Sequence, residues 1–319
     1  MFRKIDTKKL VFLFLILAIL ALIVFLRDRN QSDRTFKSEL FSVDSASVTA
    51  IKIFPKGKNS DPLILEKTGK NWDIKINNKK YPADSAAVNN ILTALAQVTA
   101  ERVAASDRAA WKDLEITDSL GRRVVVEQGK TIAADFMVGK VSVSQRPAMQ
   151  GMVRNQGFSV KSHIRIAGDD HVYVVDGFLS MIFSDQPAQY RNRLICRFNP
   201  KEVTKLTFVY PGDSSFILSR SGNNWLVNGE KADSAKTVIY INSIANSTGA
   251  EFADDGDIPV TYPYSLRIEG TNMSPIEVTG ATGPLNKMYY IRSSTNTSAI
   301  FGSGNATLFN QIFASKSKF

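Results

Sequence analysis

Val48-Thr49-Ala50-Ile51-Lys52-Ile53-Phe54-Pro55 recurs, about 150 residues on, as Val203-Thr204-Lys205-Leu206-Thr207-Phe208 followed by Tyr210-Pro211. Both stretches read as short alternating strands ended by an aromatic and a proline, because proline cannot donate to a ladder. The correspondence continues in the same order. Leu63-Ile64-Leu65-Glu66-Lys67-Thr68-Gly69-Lys70-Asn71-Trp72 matches Phe216-Ile217-Leu218-Ser219-Arg220-Ser221-Gly222-Asn223-Asn224-Trp225, each a strand, a tight polar turn and a second arm opened by tryptophan. Ala83-Asp84-Ser85 then matches Ala232-Asp233-Ser234. In both copies the aspartate is placed as the N-cap of an amphipathic helix, with Val88, Ile91, Leu92, Leu95 and Val98 on the apolar face of the first and Tyr240, Ile241 and Ile244 on that of the second.

The helices are expected to close over Ala100-Glu101-Arg102-Val103 and Ala250-Glu251-Phe252. Strands follow. In the first unit they are read at 114–118, 124–126, 132–138, 151–154 and 172–175, and in the second at 264–269, 276–278 and 288–291. The expected class is therefore α+β: two tandem β-rich units, each with a hairpin, one helix and antiparallel strands. Unit 1 is assigned to residues 45–188, a junction to 189–200 and unit 2 to 201–319.

The N-terminal segment differs from everything after it. Leu10 to Leu26 contains only Leu, Ile, Val, Phe and Ala. As a helix it spans about 25 Å, and its insertion free energy sums to roughly −5 kcal/mol. It reads as a single transmembrane helix, with residues 1–9 as a cytoplasmic tail and 27–44 as a juxtamembrane linker. No small-x-small cleavage site follows it, and the only cysteine, Cys196, is too distant for a lipoprotein signal. Lys and Arg flank the span equally. The short N-terminal tail is expected to stay in the cytoplasm and to send the bulk of the chain across the membrane.

The formal charge is +10 over 319 residues, but eight Lys/Arg against three Asp/Glu fall in the first 37 positions, leaving 32 against 27 for the rest. That excess favours the anionic lipid bilayer as a partner and argues against nucleic acid, which needs a dense basic stripe.

Motifs for chemistry are sparse. His163 and His171 sit outside any zinc pattern, and Asp169-Asp170-His171 reads as a polar loop rather than a metal site. Gly302-Ser303-Gly304 lacks the flanks of a nucleophile elbow, and no phosphate-binding glycine loop occurs. Cys196, within Leu194-Ile195-Cys196-Arg197-Phe198, reads as apolar filling, and Asp254-Asp255-Gly256-Asp257 as an acidic loop short of calcium ligands. Trp72 and Trp225, repeated at one position, read as core equivalents rather than a sugar platform. No catalytic, cofactor or metal residue is assigned. Arg191, Arg193 and Arg197 stand out at the junction, where on a strand they alternate to one face. They either pair with carboxylates between the units or form a partner or anionic-ligand surface.

The repeated Val-Thr-x-Ile/Leu strand, the Trp-ended hairpins, the Ala-Asp-Ser helix starts, Met137-Val138-Gly139-Lys140 and Tyr190-Arg191-Asn192-Arg193-Leu194 together resemble the family called domain of unknown function 4340, over roughly residues 45–315. That family is similar to regions of auxiliary proteins that accompany ABC-type transporters, including those of bacterial gliding systems. The resemblance implies a bacterial envelope protein with an accessory role, anchored in the inner membrane with its bulk on the periplasmic side, and carries no catalytic residues. The expected function is a non-catalytic, membrane-anchored envelope scaffold acting through contacts with an integral-membrane protein. The alternative is a periplasmic module binding a glycan or another anionic ligand.

Overall fold

The computed structural model describes residues 38–57, 61–76, 79–145, 158–254, 256, 258–284 and 287–319. The first unit contributes β1 (Ala50–Ile53), β2 (Leu63–Thr68), β3 (Asn71–Ile76), β4 (Lys79–Pro82), helix α1 (Ser85–Gln97), β5 (Ala100–Ala105), β6 (Arg122–Gln128), β7 (Thr131–Gln145), β8 (Phe158–Ile166), β9 (Val172–Asp176) and the short helix α2 (Leu179–Ile182). The second contributes β10 (Val203–Val209), β11 (Phe216–Ser221), β12 (Asn224–Val227), β13 (Glu230–Lys231), helix α3 (Ser234–Ile244), β14 (Glu251–Phe252), β15 (Tyr264–Gly270), β16 (Ile276–Thr282), β17 (Tyr289–Ser293), β18 (Asn296–Ser303) and α4 (Thr307–Ile312). The sheets run β4-β3-β2-β1-β6-β7-β8-β9-β5 and β13-β12-β11-β10-β15-β16-β17-β18-β14, so both units have one topology.

In that topology α1 joins strands at opposite edges of the sheet. Nine strands laid flat would set the edges about 38 Å apart. The thirteen-residue helix with two extended residues at each end reaches only about 33 Å. The sheet therefore curls around its helix, and the core lies between them. Val88, Ile91 and Leu95 face Ile51, Leu65, Ile74, Val124 and Phe136, all buried. Register places the same pairs in each unit: Ile51 opposes Leu65 and Val126, and Leu206 opposes Leu218 and Ile268.

Asp84 and Asp233 cap their helices, each accepting from the N–H groups two and three residues on. Their own backbone N–H groups reach the last residue of the fold, Asp84 to the Tyr190 carbonyl at 2.7 Å and Asp233 to that of Phe319 at 2.8 Å. Trp72 opposes Lys67 as Trp225 opposes Arg220. Trp225 is buried, whereas Trp72 is half-buried against its core.

The structure corrects the expected class. Strands take 44% and helices 18% of the described residues, so the fold is mostly β rather than α+β. Ala100–Ala105 and Glu251–Phe252, read as helix ends, are the edge strands β5 and β14. Val98 leaves α1 in an extended conformation, and pairing with β9 overrides the helix propensity of Ala-Glu-Arg. Residues 114–118, read as a strand, form turns that insert buried Ile116 beside Met137 and Val172. The strand read at 151–154 lies outside the described residues. The expected transmembrane helix, 10–26, also lies outside them. Among the described residues no helix is long and apolar enough to cross a membrane. The longest, α1, is about 20 Å against the ~30 Å of a bilayer core. Leu40, Phe41 and Val43, expected in a linker, pack on the unit 1 core, with Phe41 stacked on Phe136 at 5.1 Å.

The turns at 114–118 also explain the glycine in Met137-Val138-Gly139-Lys140. Lys140 N–H donates to Leu114 O at 2.9 Å, and a Cβ on Gly139 would lie 2.4 Å from that same oxygen. Gly139→Ala is expected to cost about 1–3 kcal/mol or more in urea unfolding. Gly304→Ala, with nothing within 4 Å of its Cβ, should stay within about 0.5 kcal/mol of wild type.

Candidate functional site

The junction is hydrogen-bonded on both sides. Toward unit 1, Asn192 N–H donates to Pro82 O at 2.8 Å and Tyr190 O accepts from Asp84. Toward unit 2, Ile195 N–H donates to Ser247 O at 2.9 Å, and Arg193 O accepts from Gly249 N–H at 2.8 Å. Asn296 Nδ2 donates to Asn192 O at 2.7 Å. Gly249 is required there, since a Cβ would fall 2.0 Å from the Phe301 ring.

The three junction arginines enter three environments, because the segment makes isolated bridges rather than a strand. Arg191 is buried, its guanidinium between the rings of Tyr81 in unit 1, at 3.9 Å, and Phe252 in unit 2, at 3.7 Å. Its Nη2 meets the Asp254 carboxylate as an ion pair outside hydrogen-bond alignment, and its Nε has no acceptor. Asp254 Oδ1 accepts from Ile300 N–H at 2.7 Å, which fixes the carboxylate to unit 2. Arg193 is half-buried and donates from Nε to Ala188 O at 3.2 Å. Arg197 is exposed.

Arg193 lines an open groove of about 840 Å³ between the outer face of α1 and the α2–junction segment. Ala87, Asn90, Ala94 and Gln97 recur at helical spacing on one wall, and Met181, Gln186 and Gln189 line the other. The second wall is held firmly. Tyr190 Oη donates to the carbonyls of Ile182 and Ser184, at 2.8 and 3.0 Å, and burial raises its pKa well above the usual tyrosine range. Arg122 Nη1 donates to Ser180 O and Phe183 O, at 2.8 and 3.0 Å, while Nη2 pairs with Asp185 at 3.0 Å. These contacts satisfy carbonyls that the end of a short helix leaves open.

The chemistry of the groove is hydrogen bonding. Asn90, Gln97, Gln186 and Gln189 offer neutral donors and acceptors, and the one carboxylate, Asp84, is occupied as the helix cap. The Asn90, Thr93 and Gln97 face was visible in the sequence but looked like any solvated helix face. Only the approach of residues 181–193 makes it a wall.

The other clusters are self-paired. Asp169 accepts from His171 N–H at 2.9 Å and from Tyr173 Oη at 2.6 Å, and Asp170 pairs with Arg108 at 2.9 Å. His163 is buried, with Nδ1 2.9 Å from Lys140 O. Among the described residues no three His, Cys, Asp or Glu gather around a metal-sized space. In the acidic loop, Asp254 is taken up by Arg191, and Asp255 and Asp257 lie outside the described residues. Cys196 is fully buried, and burial pushes its thiol from 9.0 up to about 12. It is packed in the core of unit 2.

Two predictions follow from this geometry. Arg191→Ala and Asp254→Ala should each cost about 3–5 kcal/mol, because each strands a buried charge, and the double variant should lose clearly less than their sum. Denaturant melts of the full cycle measure this. The Cys196 thiol should resist maleimide at pH 8 in the native protein and react fully once unfolded. Its raised pKa leaves stability intact below pH 9 and erodes it as pH climbs from 9 towards 12, since the unfolded thiol ionises first.

Comparison with curated proteins and comparison with solved structures each return no match. A family model matches in two consecutive segments, residues 72–149 and 154–266, which together cover more than half the chain and span α1, the junction, the Trp225 hairpin and α3, beginning at Trp72. The chain therefore belongs to the family described as domain of unknown function (DUF4340).

Proposed function

We propose that the chain is a non-catalytic scaffold or accessory protein of the bacterial envelope that acts through protein contacts, and that the groove over α1 seats a segment of its partner. The groove itself supports this most directly. It is long and open, its amide side chains suit the N–H and C=O groups of an extended peptide, and exposed Met181 supplies an adaptable apolar rim. The junction adds rigidity, so a partner would meet one preformed surface. The resemblance to auxiliary proteins of ABC-type transporters makes a transport assembly the partner class to test first.

Arg193 in the groove wall supports the second reading, a module for a glycan or another anionic ligand, because its guanidinium suits carboxylate or phosphate and the amides suit hydroxyls.

A photo-cross-linking residue placed in living cells at Gln97 or Gln186, with Asn305 as a distant exposed control, separates the readings. We expect one defined protein adduct from the groove positions only, lost when Ala94→Arg fills the groove. Adducts equal to the control, or adducts displaced by soluble anionic glycan, would overturn the partner reading.

A further inference from the structure

The two long helices carry different residues at matched positions. Counting from the caps Asp84 and Asp233, Asn89 and Asn90 of α1 correspond to Val238 and Ile239 of α3. Both asparagines are exposed, as suits the outer side of the helix. The valine and isoleucine sit in the same places and are 48% and 67% exposed. The fold therefore closes with polar residues here, and two apolar side chains open to water serve a contact rather than the core.

Val238 is also one wall of a recess. Between α3 and the β11–β12 hairpin lies a hollow of about 350 Å³, at the small end of the range of ligand pockets, roughly 300–1,000 Å³. Buried Trp225 and Ile241 face it, and Asn223, Asn242, Lys201 and Arg220 stand around it. Arg220 is held there by backbone carbonyls: Nε donates to Gly222 O at 3.2 Å and Nη1 to Lys201 O at 3.1 Å. Among the described residues neither Arg220 nor Lys201 is paired with a carboxylate. The acid next to Lys201 in sequence, Glu202, accepts from Asn199 Nδ2 at 3.3 Å.

Charge and shape together identify the occupant. The hairpin segment 214–229 and the helix segment 234–250 contain no Asp or Glu, so the two cations meet no acid from either element. A carboxylate brought from outside would complete them, and a bulky apolar side chain would fill the hollow over Trp225 and Ile241. Asn242 donates from Nδ2 to Val238 O at 2.8 Å, which leaves its Oδ1 to accept from a peptide N–H. A bilayer surface is flat on this scale and would cap the hollow without filling it. We propose that the recess between α3 and the β11–β12 hairpin docks an acidic segment of a partner protein, through one bulky apolar side chain flanked by carboxylates. The contact lies on unit 2 and does not depend on the groove over α1.

The test is fluorescence anisotropy with the full-length chain and a labelled peptide that carries Leu-Phe between two pairs of Glu. The peptide is expected to bind, and to bind about tenfold more weakly when serine replaces its phenylalanine or lysines replace its glutamates. Val238→Asn/Ile239→Asn introduces the residues that unit 1 already holds at these positions, so it should keep the wild-type melting curve and weaken binding about tenfold. Lys201→Glu/Arg220→Glu should reject the acidic peptide and take the lysine version instead. No binding of the acidic peptide, equal binding of the acidic and basic peptides to the wild type, or binding unchanged by Val238→Asn/Ile239→Asn would each overturn the proposal. So would displacement of the peptide by phosphatidylglycerol vesicles but not by phosphatidylcholine vesicles, which would show that the face takes an anionic membrane.

Discussion

In the first unit a single thirteen-residue helix must connect the two outermost strands of a nine-stranded sheet, and with its short flanks it cannot do so unless the sheet bends. The second unit has the same strand order, with a longer connection, 245–250, after its helix. Curling brings both edges within reach of the helix and encloses Val88, Ile91 and Leu95. In both units the N–H at the helix start donates to a carbonyl that lies beyond the sheet, Asp84 to Tyr190 and Asp233 to Phe319.

The duplicated fold meets one requirement with different residues. The short helix that follows each sheet leaves open carbonyls, at Ile182 and Ser184 in unit 1 and at Ile312 and Ala314 in unit 2. One tyrosine, Tyr190, bonds both in the first unit, whereas Tyr240 and Tyr210 take one each in the second. The extra phenols accompany an aromatic core: Phe208 stacks on Phe216 at 4.3 Å, and Phe319 meets the Tyr240 ring edge-on. Topology and hydrogen-bond demand are conserved between the halves while the packing that satisfies them has changed. A buried carbonyl needs a donor but does not specify where the donor comes from.

The junction converts two such units into one body. A guanidinium held between one ring from each unit and a carboxylate from the second is a costly arrangement, because two charges lose water, and a well-packed apolar contact could be as stable. The ion pair adds directionality: Arg191 fits only when Tyr81 and Phe252 face each other at the right spacing. That geometry sets the wall of the α1 groove, since Arg193 and Gln189 flank it in sequence. Placement of the groove wall is thus tied to the contact between the units.

The sequence by itself determined the duplication, the two capped helices, the Trp-ended hairpins and the apolar setting of Cys196. These are local patterns with a period or a fixed spacing, and the same physics that creates them makes them readable. It did not determine that Ala100–Ala105 is a strand, because the residues favour a helix in isolation and only β9 as a partner turns the balance. It could not separate Arg191 from Arg193 and Arg197, which look alike in a row and differ only in what folds against them. Nor could it mark Asn90, Thr93 and Gln97 as a groove wall. Whether a surface is facing water or another wall depends on contacts between residues far apart in the chain, and those contacts exist only once the sheet has closed around its helix.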